Sequence, residues 1–217
     1  MKDIIYYKNH KIMIVEQEFY ESPDDWGNED IFLVYDHRSF MVKRKGFEPK
    51  DIYDYIISLQ HPNDEFDVID YSEYWIFPVE AYIHSGVTLS LSGLYGPKTC
   101  QWDSSITGFV LVKKSDFPTE EEANTRAENL ITTWNQYLSG DVYGYIIEKP
   151  TTIYSIEKSL FDKHLLEGTT IKDLVKDFMI DDDWEELDSC WGYYGDPNTS
   201  GLLDEAKSII DCESDKV

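Results

Sequence analysis

Three features of the sequence predict an α+β fold, with a mixed, mainly antiparallel sheet, one long amphipathic helix and shorter helices. β-rich runs and helical patterns occur without the regular strand–helix–strand rhythm of a parallel α/β protein. One stretch of roughly 20 residues carries a helical apolar stripe between its own start and stop signals. The chain of 217 residues is 41% hydrophobic and holds 16 Tyr and 10 Phe, enough apolar and aromatic mass to fill a packed core.

Residues 2–7 and 11–18 read as two β-rich runs around Lys8-Asn9-His10, an opening hairpin that leads into an acidic loop from Glu21 to Asp30. Ile31 to Tyr35 reads as a strand. Glu48-Pro49, followed by Ile52, Tyr53, Ile56, Ile57 and Leu59, predicts a short helix with Pro49 in its first turn and a stop near His61-Pro62. From Tyr74 to Leu91 the chain is β-branched and aromatic, interrupted at Pro78 and Ser85-Gly86, which predicts two strands joined by a tight turn. Ile106 to Val112 adds another strand.

The long helix opens at Thr119, where Glu122 completes a capping box. Its stripe runs through Ala123, Ala127, Leu130, Ile131 and Trp134 to a stop at Gly140. After it, Val142 to Ile147 and Thr151 to Ile156 are expected to pair as a hairpin around Lys149-Pro150. Ile171 to Met179 and Leu202 to Ile210 are expected to form two late helices. No fixed repeat and no Pro- or Gly/Ser-rich linker interrupts the chain, so a single α+β domain over residues 1–217 is the expectation.

Charge is the outlying property. Asp and Glu total 43 against 19 Lys and Arg, a formal net charge of -24. Such a chain repels nucleic acid and anionic membranes and attracts basic surfaces. It has no apolar run of membrane-spanning length, and the N-terminus MKDIIYYKNHKIMIVEQEFY lacks the features of a secretory leader. The expected location is the cytoplasm of the host cell. Cys100, Cys190 and Cys212 have no CxxC spacing and read as free thiols.

Standard catalytic patterns are absent from the sequence: no GxSxG, phosphate-binding loop, GxGxxG, HExxH or calcium ligand ladder. The most enzyme-like set is His84, Cys100 and Asp103, with His37 and Cys190 as outlying candidates. A Cys/His pair can make a nucleophile, but proximity in sequence does not supply geometry, and a Cys beside Trp more often fills a core. The carboxylates Asp181, Asp182, Asp183, Glu185 and Glu186 offer oxygen ligands, yet consecutive acids point in different directions and lack the spacing of a ligand loop. No required cofactor is expected.

The acidic runs stand out instead. Between 177 and 188 lie seven carboxylates, Asp177, Asp181, Asp182, Asp183, Glu185, Glu186 and Asp188, surrounding Trp184, with no Lys or Arg among them. A second cluster comprises Asp64, Glu65, Asp67, Asp70 and Glu73, flanked by Tyr71, Tyr74 and Trp75. A third runs from Glu16 to Asp30 around Trp26. Self-repulsion of this size opposes compaction, which suggests a compensating benefit. DNA presents one negative charge per about 1.7 Å of axis, so a ridge of carboxylates can occupy the basic groove of a nucleic-acid-binding enzyme. The plainer reading is a solubilising surface, with the aromatics packed in the core.

Five ordered blocks, YDHRS at 35–39, YIHSGVTLS at 82–90, CQWDSSITGFVLV at 100–112, YLSGDVYGYIIE at 137–148 and DSCWGYYG at 188–195, resemble an uncharacterised protein family of phages and mobile elements. The resemblance implies a mobile-element origin. The chain does not resemble the known acidic anti-restriction proteins by motif. Physically the blocks look architectural: Gly140-Asp141 separates a helix from a strand, Gly144 permits close packing, and Gly192 and Gly195 bracket Tyr193 and Tyr194. A second view has His84, Trp102, Asp103, Asp188 and Trp191 converging on one pocket.

The expected function is therefore inhibition of a host defence system, CRISPR or restriction. The protein would bind a basic nucleic-acid-binding partner through the carboxylates of the first two clusters and Trp184, without contacting nucleic acid or membrane itself. The alternative is a small hydrolase or nucleotide-processing enzyme using His84, Cys100 and Asp103. The scarcity of Lys and Arg, grouped most clearly at Lys43-Arg44-Lys45, argues against an anionic substrate. Oligomeric state is not legible.

Overall fold

Asp3–Tyr7 (β1) and His10–Glu16 (β2) form the opening hairpin. Lys8 and Asn9 both take positive φ, 44° and 61°, in the turn. Two such residues in succession match the strand twist and favour a tight hairpin. The computed structural model describes residues 3–38, 40–62, 67–83, 86–92, 104–150 and 184–214. Among them the further elements are Ile31–His37 (β3), Phe40–Val42 (β4), Pro49–Gln60 (α1), Tyr74–Ile83 (β5), Val87–Leu91 (β6), Ser104–Lys113 (β7), Glu120–Ser139 (α2), Val142–Pro150 (β8), Trp184–Tyr194 (β9) and Leu202–Ser214 (α3). This is the α+β class expected, with antiparallel sheets.

The chain packs as two compact units, one of Met1–Glu18 with Tyr143–Val217 and one of Phe19–Val142. Neither passage between them, at Glu18–Phe19 or at Val142–Tyr143, has the composition of a flexible linker.

In the Phe19–Val142 unit the described strands are ordered β4-β3-β7-β5-β6. The apolar runs IFLVY at 31–35 and FVLV at 109–112 face helices on both sides. Leu33, Tyr35, Val110 and Val112 pack with α2, through Ala127 and Trp134. Phe32, Val34, Phe109 and Leu111 pack on the opposite face with Ile52 of α1 and with Tyr71. A strand buried on both faces needs no polar alternation, which explains why these segments read as continuous apolar runs.

Helix α2 begins as the sequence predicts. The Glu122 N–H donates to Thr119 Oγ1 at 3.3 Å, and the Thr119 hydroxyl donates to Glu122 Oε2 at 2.8 Å. Gly140 closes the helix in the left-handed conformation, φ 79°, its N–H directed to the Gln136 and Tyr137 carbonyls. Asn135 ties α2 to strand β6: its Oδ1 accepts the Leu89 N–H at 2.7 Å and its Nδ2 donates to the Leu89 carbonyl at 2.9 Å. One side chain thus satisfies both backbone groups of a buried residue on the strand at the sheet's end.

The other unit has described strands in the order β1-β2-β8-β9. Helix α3 covers one face, where Ile12, Ile14, Tyr145 and Ile147 meet Leu202, Ala206 and Ile210. The predicted turn at Lys149-Pro150 is not formed. Instead β8 runs through both residues and pairs with β2 from Lys11↔Glu148 to Glu16↔Tyr143. Proline is tolerated there because it is the last residue of the strand, where a missing N–H interrupts no ladder. The expected partner, 151–156, lies outside the described residues, as does the expected helix 171–179. The helix expected at Leu202 to Ile210 is α3, which extends to Ser214.

Candidate interaction surface

Strand β9 carries Trp184, Glu185, Glu186 and Asp188, the described part of the densest acidic run; Asp177, Asp181, Asp182 and Asp183 lie outside the described residues. The contacts Lys149–Glu185 at one end and Gly144–Trp191 at the other place β9 antiparallel to β8. Between those contacts β9 advances six residues while β8 advances five, so the alternation of side chains between faces slips once along β9, and the contacts of each residue divide the run.

Glu185 turns to the α3 side, where its carboxylate is 3.2 Å from Lys149 Nζ; Lys149 also reaches Glu213 at 3.2 Å. The hydrogen bonds to Glu185 and then Glu213 raise the Lys149 pKa above its ordinary value. Asp188 faces the same side and accepts the Tyr145 hydroxyl at 3.2 Å. Tyr145 is fully buried, and burial first, then the Asp188 charge, pushes its pKa well above the usual tyrosine range. Tyr193 is raised likewise, by burial and then by hydrogen bonds with Glu205 and Cys190. Cys190 packs against this core, with Sγ 3.9 Å from the Trp191 carbonyl oxygen. Here Asp188 and the thiol belong to the internal packing of the unit, while Glu185 remains exposed in its ion pair with Lys149.

Trp184 and Glu186 face the opposite side of the sheet, the side that α3 leaves uncovered. The Trp184 ring lies under Lys11 Nζ, 4.7 Å from the centroid, and 6.3 Å from the Tyr6 ring. Lys11 is also ion-paired to Glu148, its cross-strand neighbour. Glu186 is exposed and accepts the Ser189 hydroxyl at 2.8 Å. On the same face Trp191 lies over Gly144. A Cβ added to Gly144 would come 2.3 Å from Trp191 Cε3, so only glycine admits the indole at that depth. Trp191 and Asp188 therefore occupy opposite faces of the sheet and do not share a pocket.

In the other unit, Asp67, Asp70 and Glu73 precede β5 and are all exposed, while Asp64 and Glu65 lie outside the described residues. Asp70 shapes the turn: its carboxylate accepts the Ser72 N–H at 2.8 Å and the Ser72 hydroxyl at 3.0 Å. Those bonds, the backbone one foremost, hold its pKa below the ordinary value. The flanking aromatics are inward. Tyr71 is 2% exposed and donates to the Gly46 carbonyl at 3.2 Å; Trp75 Nε1 donates to the Phe117 carbonyl at 2.9 Å. In the third cluster burial, partly offset by Arg44, raises the Asp24 pKa.

His84, Cys100, Trp102 and Asp103 lie outside the described residues, and His37 closes β3 opposite Phe40. Among the described residues no three His, Cys, Asp or Glu side chains form a metal-ligand group, and no helix is long and apolar enough to cross a membrane. Of the residues now seen on the α3-free face, Tyr6 and Lys11 escaped sequence reasoning. The alternation of HKIMIVE carried the signal, since it places Lys11 and Met13 on one side and Ile12 and Ile14 on the other. No family model matches the sequence, and neither a curated protein nor a solved structure matches the chain.

Proposed function

We propose that this protein is an accessory protein of a phage or mobile element that blocks a host defence system, CRISPR or restriction, by occupying a basic nucleic-acid-binding site. The observation that carries the reading is the formal net charge of -24, with Glu186, Asp67, Asp70 and Glu73 exposed on strand and turn positions. Carboxylates held on ordered backbone lose little entropy on meeting a basic groove, and their summed field accelerates encounter with it. The mobile-element resemblance of the five sequence blocks supplies the biological setting. Asp188, bonded to the buried Tyr145, serves the fold; Glu186, the exposed Glu185 and the Asp67–Glu73 group supply the contacts.

The test is capture from a host lysate with active CRISPR and restriction systems, using the tagged full chain at low and high salt. The screening length shrinks from about 10 Å at 0.1 M to about 3 Å at 1 M ionic strength, so a partner held by exposed charge is retained at the first and released at the second. The expected result is salt-sensitive capture of a nucleic-acid-guided or DNA-recognising effector. Capture of no such effector at low salt would contradict the reading.

A further inference from the structure

We propose that the α3-free face of the β1-β2-β8-β9 sheet is a docking platform for arginine side chains of a basic polypeptide, with Trp191 and Tyr6 as the receiving rings. The proposal rests on the reading of a basic partner above and names the chemistry by which this unit recognises it.

The face already contains one example of the contact. Lys11 Nζ sits 4.7 Å from the centroid of Trp184 while its charge is balanced by Glu148. A cation over an indole beside a carboxylate is the arrangement by which aromatic surfaces hold basic side chains. Two further rings keep an accessible surface, Tyr6 at 70% exposure and Trp191 at 45%. Trp191 is seated against Gly144, so the indole presents a surface with little rotamer freedom left to lose. Gly144 and Glu148 stand four residues apart on β8, which separates the Trp191 and Trp184 ends of the face by roughly 13 Å at about 3.3 Å per residue. Ile146 lies between them, and Glu186 supplies a carboxylate on the same side.

Charge selects among occupants. A second copy of this chain brings another -24 and the same rings, and a nucleic acid, which also stacks on aromatics, is repelled by the same field. A basic polypeptide is attracted by it. Guanidinium suits the rings better than ammonium, being planar, stackable and more weakly hydrated.

The experiment is calorimetric titration of the full chain at low salt with nona-arginine, nona-lysine and an oligothymidylate, repeated for Tyr6→Ser and Trp191→Leu. Leucine keeps an apolar cover over Gly144 but removes the π face, and Tyr6 is exposed enough that its loss leaves the fold intact; thermal unfolding checks both. The expected result is tighter binding of nona-arginine than of nona-lysine, with each variant weakening nona-arginine by about 2- to 5-fold, the size of an exposed cation–π contact. Nona-arginine binding that is unchanged in folded variants would overturn the platform and leave the acidic-surface reading standing. Absence of nona-arginine binding to the unaltered chain would overturn both. Oligothymidylate binding that the variants abolish would overturn the platform by assigning the rings to bases.

Discussion

The two units solve the same problem, covering an antiparallel sheet, to different extents. In the Phe19–Val142 unit helices lie on both faces, and the strand residues Phe32 to Tyr35 and Phe109 to Val112 are buried without interruption. In the other unit α3 covers one face; along β2, Ile12 and Ile14 are buried while Lys11, Met13 and Val15 are half-buried. The difference shows how strand patterning divides labour. A continuous apolar run commits a strand to the interior on both sides, whereas alternation keeps a face on which rings and charges remain presentable.

The largest expected effect sharpens that contrast. Leu111→Ala, on a strand sandwiched between two helices, is expected to cost about 2–5 kcal/mol, because a packed interior cannot collapse around the lost volume. Ile4→Ser, at 40% exposure on the α3-free side, is expected to stay within about 0.5–1 kcal/mol. Chemical denaturation of both variants checks this, and similar costs would break the comparison. Next, Asn135→Leu strands the Leu89 N–H and carbonyl and is expected to cost about 2 kcal/mol in the same assay. A neutral result would mean that the amide bridge does not hold β6 to α2.

A smaller effect concerns pH. Asp70 has a depressed folded pKa, so its contribution is present above the ordinary carboxylate value of 3.8 and is lost as pH falls through the folded value. Asp70→Asn is expected to lower the melting temperature slightly at neutral pH, with the gap to the unaltered chain narrowing below pH 3.8. A constant gap would assign the effect to turn geometry alone.

Elements with local punctuation were legible in the sequence. Thr119, Glu122 and Gly140 mark α2 within a residue at each end, and Pro49 and His61 do the same for α1. Strand β9 was not assigned, because three acids and Gly192 interrupt the strand signal of its four aromatics, and the segment is held by pairing with β8 and by Leu187, Cys190 and Tyr193 in the core. Lys149-Pro150 read as a turn because sequence does not distinguish a proline at a strand end from one in a loop. The acids of the candidate surface were visible as a density of charge. Their facing was not, since Glu185 and Glu186 differ only by the parity of β9, which a one-residue change of register would invert.

The central claim is that exposed carboxylates of this protein take the place of nucleic acid on a basic partner, and competition tests it most directly. With the captured effector immobilised, binding of this protein is measured at rising concentrations of the effector's own DNA or RNA. The account predicts mutual exclusion, with apparent affinity falling in proportion to nucleic-acid concentration and a weaker competitor when Glu186, Asp67 and Glu73 are changed to Lys. Simultaneous binding of protein and nucleic acid to the same effector would contradict it.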